Sequence, residues 1–247
     1  MTHQLFLGDP TEVARAEVGG AIWLEGEEAR HAGTVVRLRA GERYFVADGS
    51  GRRVLAEAET VDRTSVVGRV VAIEDEPEAQ PRFVLVQALA RGDRDDQAVE
   101  AATELGVDEI IAWQAERSVV IWRRDRAAKS LAKWVAVVER ATKQSRRARL
   151  PRVSGPVGTP ALASRARQAA LTLVLHEDAT EPLAGVELPP DGEVIVVVGP
   201  EGGISQGELD LLAQSGARAV RLGPTILRAS SAGPAALAVL SARARWR

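Results

Sequence analysis

The sequence contains no cysteine, which removes disulfide frameworks, thiolate-bound zinc and thiol nucleophiles together. Histidine is nearly as scarce. His3, His31 and His176 stand far apart and no H-E-x-x-H occurs, so no metal site is expected. No apolar run approaches the roughly 20 residues of a membrane-spanning helix. Such runs as there are, for example Val194-Ile195-Val196-Val197-Val198, have the length of a buried strand. Met1 to Leu5 lack the basic and apolar regions of a secretory signal, which points to a cytoplasmic protein with no membrane partner. What is present is globular in kind: 45% hydrophobic and 27% charged residues over 247 positions.

The net charge of -2 hides a local asymmetry. Between Arg117 and Arg152, twelve Lys/Arg face only Asp125 and Glu139, a surplus of ten in 36 residues. Such a block is the footprint of a phosphate-binding surface, or else a solvated helix face in a chain where Arg outnumbers Lys 29 to 3. Candidate phosphate contacts are Arg117, Arg123, Arg124, Arg146, Arg147 and Arg149 in this block, with Arg146-Arg147-x-Arg149 as a clamp, and Arg37 and Arg91 outside it.

Residues 1–73 read as mostly β, with short alternating or β-branched stretches and one helix over about 27–38. Asp48-Gly49-Ser50-Gly51 between two of these stretches is a hairpin signal. Residues 74–81, acidic and carrying Pro77 and Pro81, form the expected linker. From residue 82 to 247 apolar strands alternate with helices, the pattern of a parallel sheet covered on both faces. Ser205-Gln206-Gly207-Glu208 spells a capping box, and Pro234 is placed near the first turn of a last helix from about Ser231. Trp113, Trp122, Trp134 and Trp246 read as core or interface residues, with Trp122 beside Arg123-Arg124 also able to stack on a base. His31 reads as a packed histidine on the small domain's helix.

Two segments carry the chemistry. Val194 to Ser205 is a buried strand feeding Gly199-Pro200-Glu201-Gly202-Gly203-Ile204 and then a capped helix. Glycines at the carboxyl end of a strand let backbone N–H groups approach a ligand, or serve only to reverse the chain. No Gly-Lys-Ser/Thr and no G-x-G-x-x-G is present, which disfavours polyphosphates and dinucleotides. Leu222-Gly223-Pro224-Thr225-Ile226-Leu227-Arg228 is a second such loop, with Ser230 and Ser231 beyond it. The two loops are expected to leave neighbouring strands and form one pocket, with Ile226 and Leu227 as apolar walls and Arg228 as a cation, either paired or holding an anion.

Gly199-Pro200-Glu201-Gly202-Gly203-Ile204-Ser205 with Glu208, followed by Leu222-Gly223-x-x-Ile226-Leu227-Arg228, resembles the C-terminal motifs of the SPOUT RNA methyltransferases, and more narrowly the RsmE family. The likeness extends through His31 to Leu38, Asp48-Gly49, Ala90 to Asp93, Thr103 to Val107, Glu116-Arg117-Ser118, Gln144 to Arg147 and Leu175-His176-Glu177. It implies an α/β C-terminal SPOUT domain with a parallel sheet and a trefoil knot, residues 82–247, and a small N-terminal PUA-like β-barrel domain, residues 1–73. It further implies S-adenosylmethionine as cofactor, held by Leu175, His176, Glu177, Gly199, Pro200, Glu201, Gly202, Gly203, Ile204, Leu222, Gly223, Ile226, Leu227 and Ser230. Methylation of N3 of a uridine in 16S ribosomal RNA of the small ribosomal subunit follows from it, as does a homodimer. Arg228 is the candidate catalytic residue, a cation for the charge that develops on the uracil oxygens. Two positions depart from the family pattern: Ala229-Ser230-Ser231 stands where many relatives have Thr-Glu-Thr, and Ala101 where many have lysine. A non-catalytic RNA-binding or ribosome-assembly protein, or a SPOUT enzyme acting on another RNA, is the alternative.

Overall fold

The computed structural model describes residues 3–246, which fall into two compact units. One is the chain up to Glu78 together with Thr142–Leu150; the other is Ala79–Ala141 with Pro151 onward.

The first unit contains β1 (Leu5–Leu7), α1 (Pro10–Arg15), β2 (Ala21–Glu25), α2 (Gly26–Arg30), β3 (Arg43–Ala47), β4 (Arg52–Val61) and β5 (Ser65–Asp75). Its five strands lie in the order β1-β3-β4-β5-β2. Register shifts between Leu55/Ala56 and Ala58/Thr60 interrupt the β4–β5 ladder, and such bulges increase twist. The small β domain thus takes the form of a curled sheet, wrapped around Phe6, Ile22, Leu24, Tyr44, Val46, Val54 and Val66. The Asp48 carboxylate accepts the N–H groups of Ser50 (2.6 Å) and Arg52 (3.1 Å), which is why Asp-Gly-Ser-Gly makes the β3–β4 hairpin. The helix expected over 27–38 is α2 continued by a π-helical turn, His31–Val36, and stopped by Arg37 in the left-handed conformation (φ 58°). His31 is exposed and packs edge-on to Phe6 at 6.0 Å. The six-residue α1 was not visible in the hydrophobic pattern, being too short for a period to show. Asp9 caps it through the N–H groups of Thr11 and Glu12.

Residues 142–150 correct the expectation of one continuous domain from 82 onward. Gly51 N–H donates to the Ala148 carbonyl (3.2 Å) and Leu150 N–H to the Gly49 carbonyl (2.8 Å), stitching this segment to the hairpin. Lys143 pairs with Glu28 at 2.5 Å, and Arg53 donates to the Arg146 carbonyl. Backbone bonds to a hairpin about 100 residues away in sequence leave no trace in local composition.

The second unit contains β6 (Arg82–Ala88), α3 (Arg94–Glu104), β7 (Glu109–Trp113), α4 (Arg124–Ser145, its last turn counted with the first unit), β8 (Arg152–Val157), α5 (Thr159–Ala166), β9 (Leu171–Leu175), β10 (Glu193–Val198), α6 (Gln206–Gln214), β11 (Arg218–Val220) and α7 (Ala229–Ala244). The six strands are all parallel, in the order β11-β9-β10-β6-β7-β8. Alternate residues explain the two covered faces. Val84 and Val86 join the cluster with Leu162 of α5 and Leu212 of α6, while Leu85 meets Gly233 of α7 from the other side. A Cβ at Gly233 would stand 2.9 Å from Leu85, so the glycine sets how closely α7 approaches the sheet.

Three expectations are corrected here. Helix α7 begins at Ala229, because Arg228 is the extended N-cap (ψ 153°), so Pro234 lies inside the helix in its second turn and not near the first. The expected alternation of apolar strands with helices does not hold at β8, where Gly155-Pro156 breaks the apolar pattern, as an edge strand tolerates. The two glycine-containing loops do not leave neighbouring strands, since β9 lies between β10 and β11.

Candidate active site

The chain runs β6, β7, β8 in one direction across the sheet, then crosses to β9 and inserts β10 between β9 and β6. The carboxyl ends at such a reversal are where open α/β sheets bind ligands. Here the exits of β9, β10 and β11 converge on a cavity of about 410 Å³, within the range of small-molecule sites. Its wall includes Leu175, His176 and Glu177 from β9; Gly199, Pro200, Glu201, Gly203 and Ile204 from β10; and Leu222, Gly223, Ile226, Leu227 and Arg228 after β11.

Two residues of the expected cofactor set are not on that wall. Gly202 turns to Arg117, whose carbonyl oxygen would be 3.1 Å from an added Cβ. Ser230 is half-buried in the first turn of α7, whereas Ala229 and Ala232, three apart on one helix face, line the cavity. Pro224 and Thr225 of the second expected loop also line it, as do Val198, at the end of β10, and Arg94 and Arg221, which were not anticipated. Small residues at i and i+3 opening a helix were the available signal for Ala229 and Ala232; Arg94, from a distant helix, had none. The apolar walls are more open than expected, Ile226 being 82% exposed.

The β10 exit loop is held by a network of hydrogen bonds. Glu208, buried in α6, accepts the Ser205 N–H (3.1 Å), the Thr159 hydroxyl (2.8 Å) and the Glu116 N–H (2.9 Å). Ser205 accepts the Glu208 N–H and donates its hydroxyl to the Glu116 carboxylate at 2.5 Å. The Thr159 hydroxyl oxygen in turn accepts from the indole of buried Trp113. The capping box is therefore also the clamp that fixes where Gly199 to Ile204 lie. Gly203 turns in the left-handed region (φ +74°). Glu201 is fixed from the other side by the Arg94 guanidinium (2.8 Å) and the Arg91 N–H (3.2 Å). Burial alone would lift its carboxyl pKa, but these donors and its own backbone outweigh that and hold it below the usual carboxylate range.

Arg228 is exposed on the cavity wall, and among the described residues its side chain meets no hydrogen-bonding or ionic partner. The paired reading thus finds no carboxylate partner among the described residues. Gly223 is informative in another way. Its φ lies outside the left-handed region and an added Cβ would meet nothing within 4 Å, so backbone strain does not require glycine; the space beside it is cavity. Bare backbone facing an empty, partly apolar volume suits a flat nucleoside-type ligand.

The candidate RNA contacts divide between the units. Arg91, Arg117 and Arg123 are exposed in the second, Arg117 also reaching the Gly202 carbonyl at 3.4 Å; the Arg124 side chain lies outside the described residues. Arg37 is exposed in the first, where Arg146, Arg147 and Arg149 are half-buried. The expected clamp needs correction at Arg149, whose guanidinium donates to the Glu76 carbonyl (2.7 and 3.1 Å) and lies 3.8 Å from Glu78. Part of the basic block is thus neutralised inside each unit, Lys133 by Asp96 and Lys143 by Glu28. Trp113 and Trp134 are core residues, and Trp122 packs edge-on to Trp134 at 5.2 Å. Trp246 is 54% exposed.

An RNA methyltransferase domain model matches residues 77–241 and an RNA methyltransferase PUA domain model residues 24–71. The ribosomal RNA small subunit methyltransferase E of Mycobacterium bovis is 43% identical over 235 residues, 93% of this chain and 90% of that protein. The chain belongs to the RsmE family of RNA methyltransferases. The Bacillus subtilis family member is 27% identical over 226 residues, 88% of each chain. A Neisseria gonorrhoeae RsmE structure bound to S-adenosyl methionine matches with TM-score 0.85 at 27% identity, covering 98% of both chains. A Legionella pneumophila methyltransferase in complex with S-adenosylmethionine matches with TM-score 0.87, again at 27% identity over 98% of each. Among the described residues no helix is long and apolar enough to cross a membrane, and no cluster of His, Asp and Glu is placed to hold a metal.

Proposed function

We propose that this RsmE-family protein transfers a methyl group from S-adenosylmethionine to N3 of a uridine in 16S ribosomal RNA, acting as a cytoplasmic homodimer. The carrying observation is the convergence of three strand exits on one cavity with an unpaired Arg228 on its wall. The bare backbone at Gly223 and the apolar side chains of Leu175, Ile204 and Leu222 fit the nucleoside part of that cofactor. The cofactor supplies an electrophilic methyl on a sulfonium centre. Insertion of β10 between β9 and β6 supports the trefoil-knot reading of the chain path.

The chain's own residues have three tasks. The clamp on Ser205 and Glu208 and the Arg94–Glu201 pair keep the β10 exit loop in one shape, so that donor and acceptor meet in line. The apolar side chains of Leu175, Ile204 and Leu222 receive the cofactor. Uracil N3 must lose its imide proton, and the resulting charge spreads onto the flanking carbonyl oxygens, where the Arg228 guanidinium stabilises it. No carboxylate stands at positions 229–231, so the imide proton passes to water while this cation favours the ionised base.

The test is methyl transfer from labelled S-adenosylmethionine to 16S RNA, free and in small subunits, with the product nucleoside identified by mass spectrometry. N3-methyluridine at one position is expected. Absence of transfer to either substrate, or a label on another base, overturns the reading. Arg228→Ala should lower turnover about 100-fold or more while leaving cofactor affinity unchanged, and full turnover in Arg228→Ala or Arg228→Lys would refute its role.

A further inference from the structure

Besides Arg228, a second cation on the cavity wall lacks a partner. Arg221 follows β11 directly, and its backbone is pinned: its N–H donates to the Glu181 carbonyl (2.8 Å) and its carbonyl accepts from Leu183 (2.9 Å), while the neighbouring Val220 carbonyl accepts from His176 (3.0 Å). The nearest acid in that segment, Glu181, is taken by Arg218. Among the described residues the Arg221 guanidinium meets no hydrogen-bonding or ionic partner, although the residue is exposed and lines the cavity. A rigid backbone carrying an uncommitted cation is a preorganised anion site.

Its counterpart is Glu177. Val220 and Leu175 pair across β11 and β9, so Arg221 and Glu177 leave adjacent strands one and two residues past the same rung. Both line the cavity, yet no ion pair joins them, and the Glu177 carboxylate has no other partner among the described residues. The remaining opposite charges on the wall, Arg94 and Glu201, satisfy each other. The cavity therefore presents, besides Arg228, an uncommitted cation and an uncommitted anion on adjacent strand exits, Arg221 and Glu177. That arrangement suits a zwitterion lying between them better than a lone phosphate, which Glu177 would repel.

The geometry points to Arg221 and Glu177 as the residues that hold the α-carboxylate and α-ammonium of the cofactor's amino-acid end, Arg221 being the specificity determinant for that carboxylate. This assignment rests on the methyltransferase reading. The sharpest probe pair is S-adenosylhomocysteine, which carries the zwitterion, and methylthioadenosine, which keeps the nucleoside and thioether but lacks it.

Calorimetric titration of the full chain with both probes tests the assignment, with melting temperatures to show that each variant is folded. Arg221→Gln should weaken S-adenosylhomocysteine roughly tenfold and leave methylthioadenosine unchanged. Arg221→Lys should restore part of the loss, and Glu177→Gln should weaken S-adenosylhomocysteine severalfold without touching methylthioadenosine. Equal weakening of both probes by Arg221→Gln would mean that the residue only shapes the loop, and overturns the proposal. Unchanged binding of both, with a raised KM for RNA, would assign Arg221 to an RNA phosphate and likewise overturn it. If the wild-type chain bound neither probe, the methyltransferase reading beneath it would fail instead.

Discussion

Gly223 offers the cleanest separation of ligand binding from folding. An alanine Cβ there would meet no protein atom within 4 Å, and the backbone does not occupy the left-handed region. Gly223→Ala should therefore change stability by no more than about 0.5 kcal/mol, a melting shift of roughly 2 °C. Gly223 lines the cavity, so a ligand lying against it would meet the added methyl. Crowding a fitted ligand by one carbon costs about 1–3 kcal/mol, so the S-adenosylmethionine Kd should rise between about 5- and 150-fold. Gly203→Ala is the contrasting control. At φ +74° it carries about 1–2 kcal/mol of backbone strain, while its Cβ would come no closer than 3.9 Å to Arg117. It should melt several degrees lower with a smaller direct effect on affinity. Titration calorimetry and thermal denaturation on the same preparations read both quantities. If Gly223→Ala binds S-adenosylmethionine as the wild type does while melting normally, the space beside Gly223 is not where the cofactor lies.

Other substitutions probe the scaffold around the site. Glu109 is buried at the start of β7 and accepts two bonds from Arg165 (2.8 and 2.7 Å). Burial would raise its pKa, but Arg165 first, then Arg152 and Arg82, overrule this and hold it below the carboxylate range. Its contribution is present above about pH 4.5 and lost as pH falls through the lower folded value. Arg165→Ala should cost about 3–5 kcal/mol at neutral pH, and its melting deficit relative to the wild type should shrink as pH falls below about 4.5; a deficit that stays constant with pH would contradict this. Asp95 behaves oppositely: burial, then the Asp96 charge, push it up to about 6, so keeping it ionised costs stability above that pH. Asp95→Asn should gain about 1–3 kcal/mol at pH 8 and nothing near pH 4, measured by chemical denaturation at both. Glu208→Ala removes the acceptor for three donors and should lower stability by about 2–4 kcal/mol while weakening cofactor binding. Retention of both properties would show that the clamp is dispensable.

How much of this was legible in sequence depends on the range of the forces involved. Strands buried on both faces, such as Val194 to Val198, and the Ser205-to-Glu208 cap are written in adjacent residues, because side-chain burial and capping act over a few positions. The Asp48 hairpin is of the same kind. Where a local rule was broken without local compensation, reading failed. Gly155-Pro156 hid β8, and Pro234 was placed at a helix start that Arg228 actually provides six residues earlier.

By itself the sequence determined that the protein is a two-part β and α/β chain with no cysteine and three scattered histidines, and that its glycine loops after β10 and β11 carry motifs of the RsmE family. The tertiary structure alone decided which members of those loops face one another. Strand order places β9 between the two loops and so brings His176 and Glu177 into the wall, while helix periodicity turns Ser230 aside and Ala229 and Ala232 inward. It also decided which arginines are spent. Arg149 is bound to Glu76, Arg94 to Glu201 and Arg165 to Glu109, whereas Arg221 and Arg228 line the cavity without such a partner among the described residues. The physical reason is that a charge declares its role only through its partner, and partners separated by tens of residues are chosen by the packing of the sheet, not by any pattern along the chain.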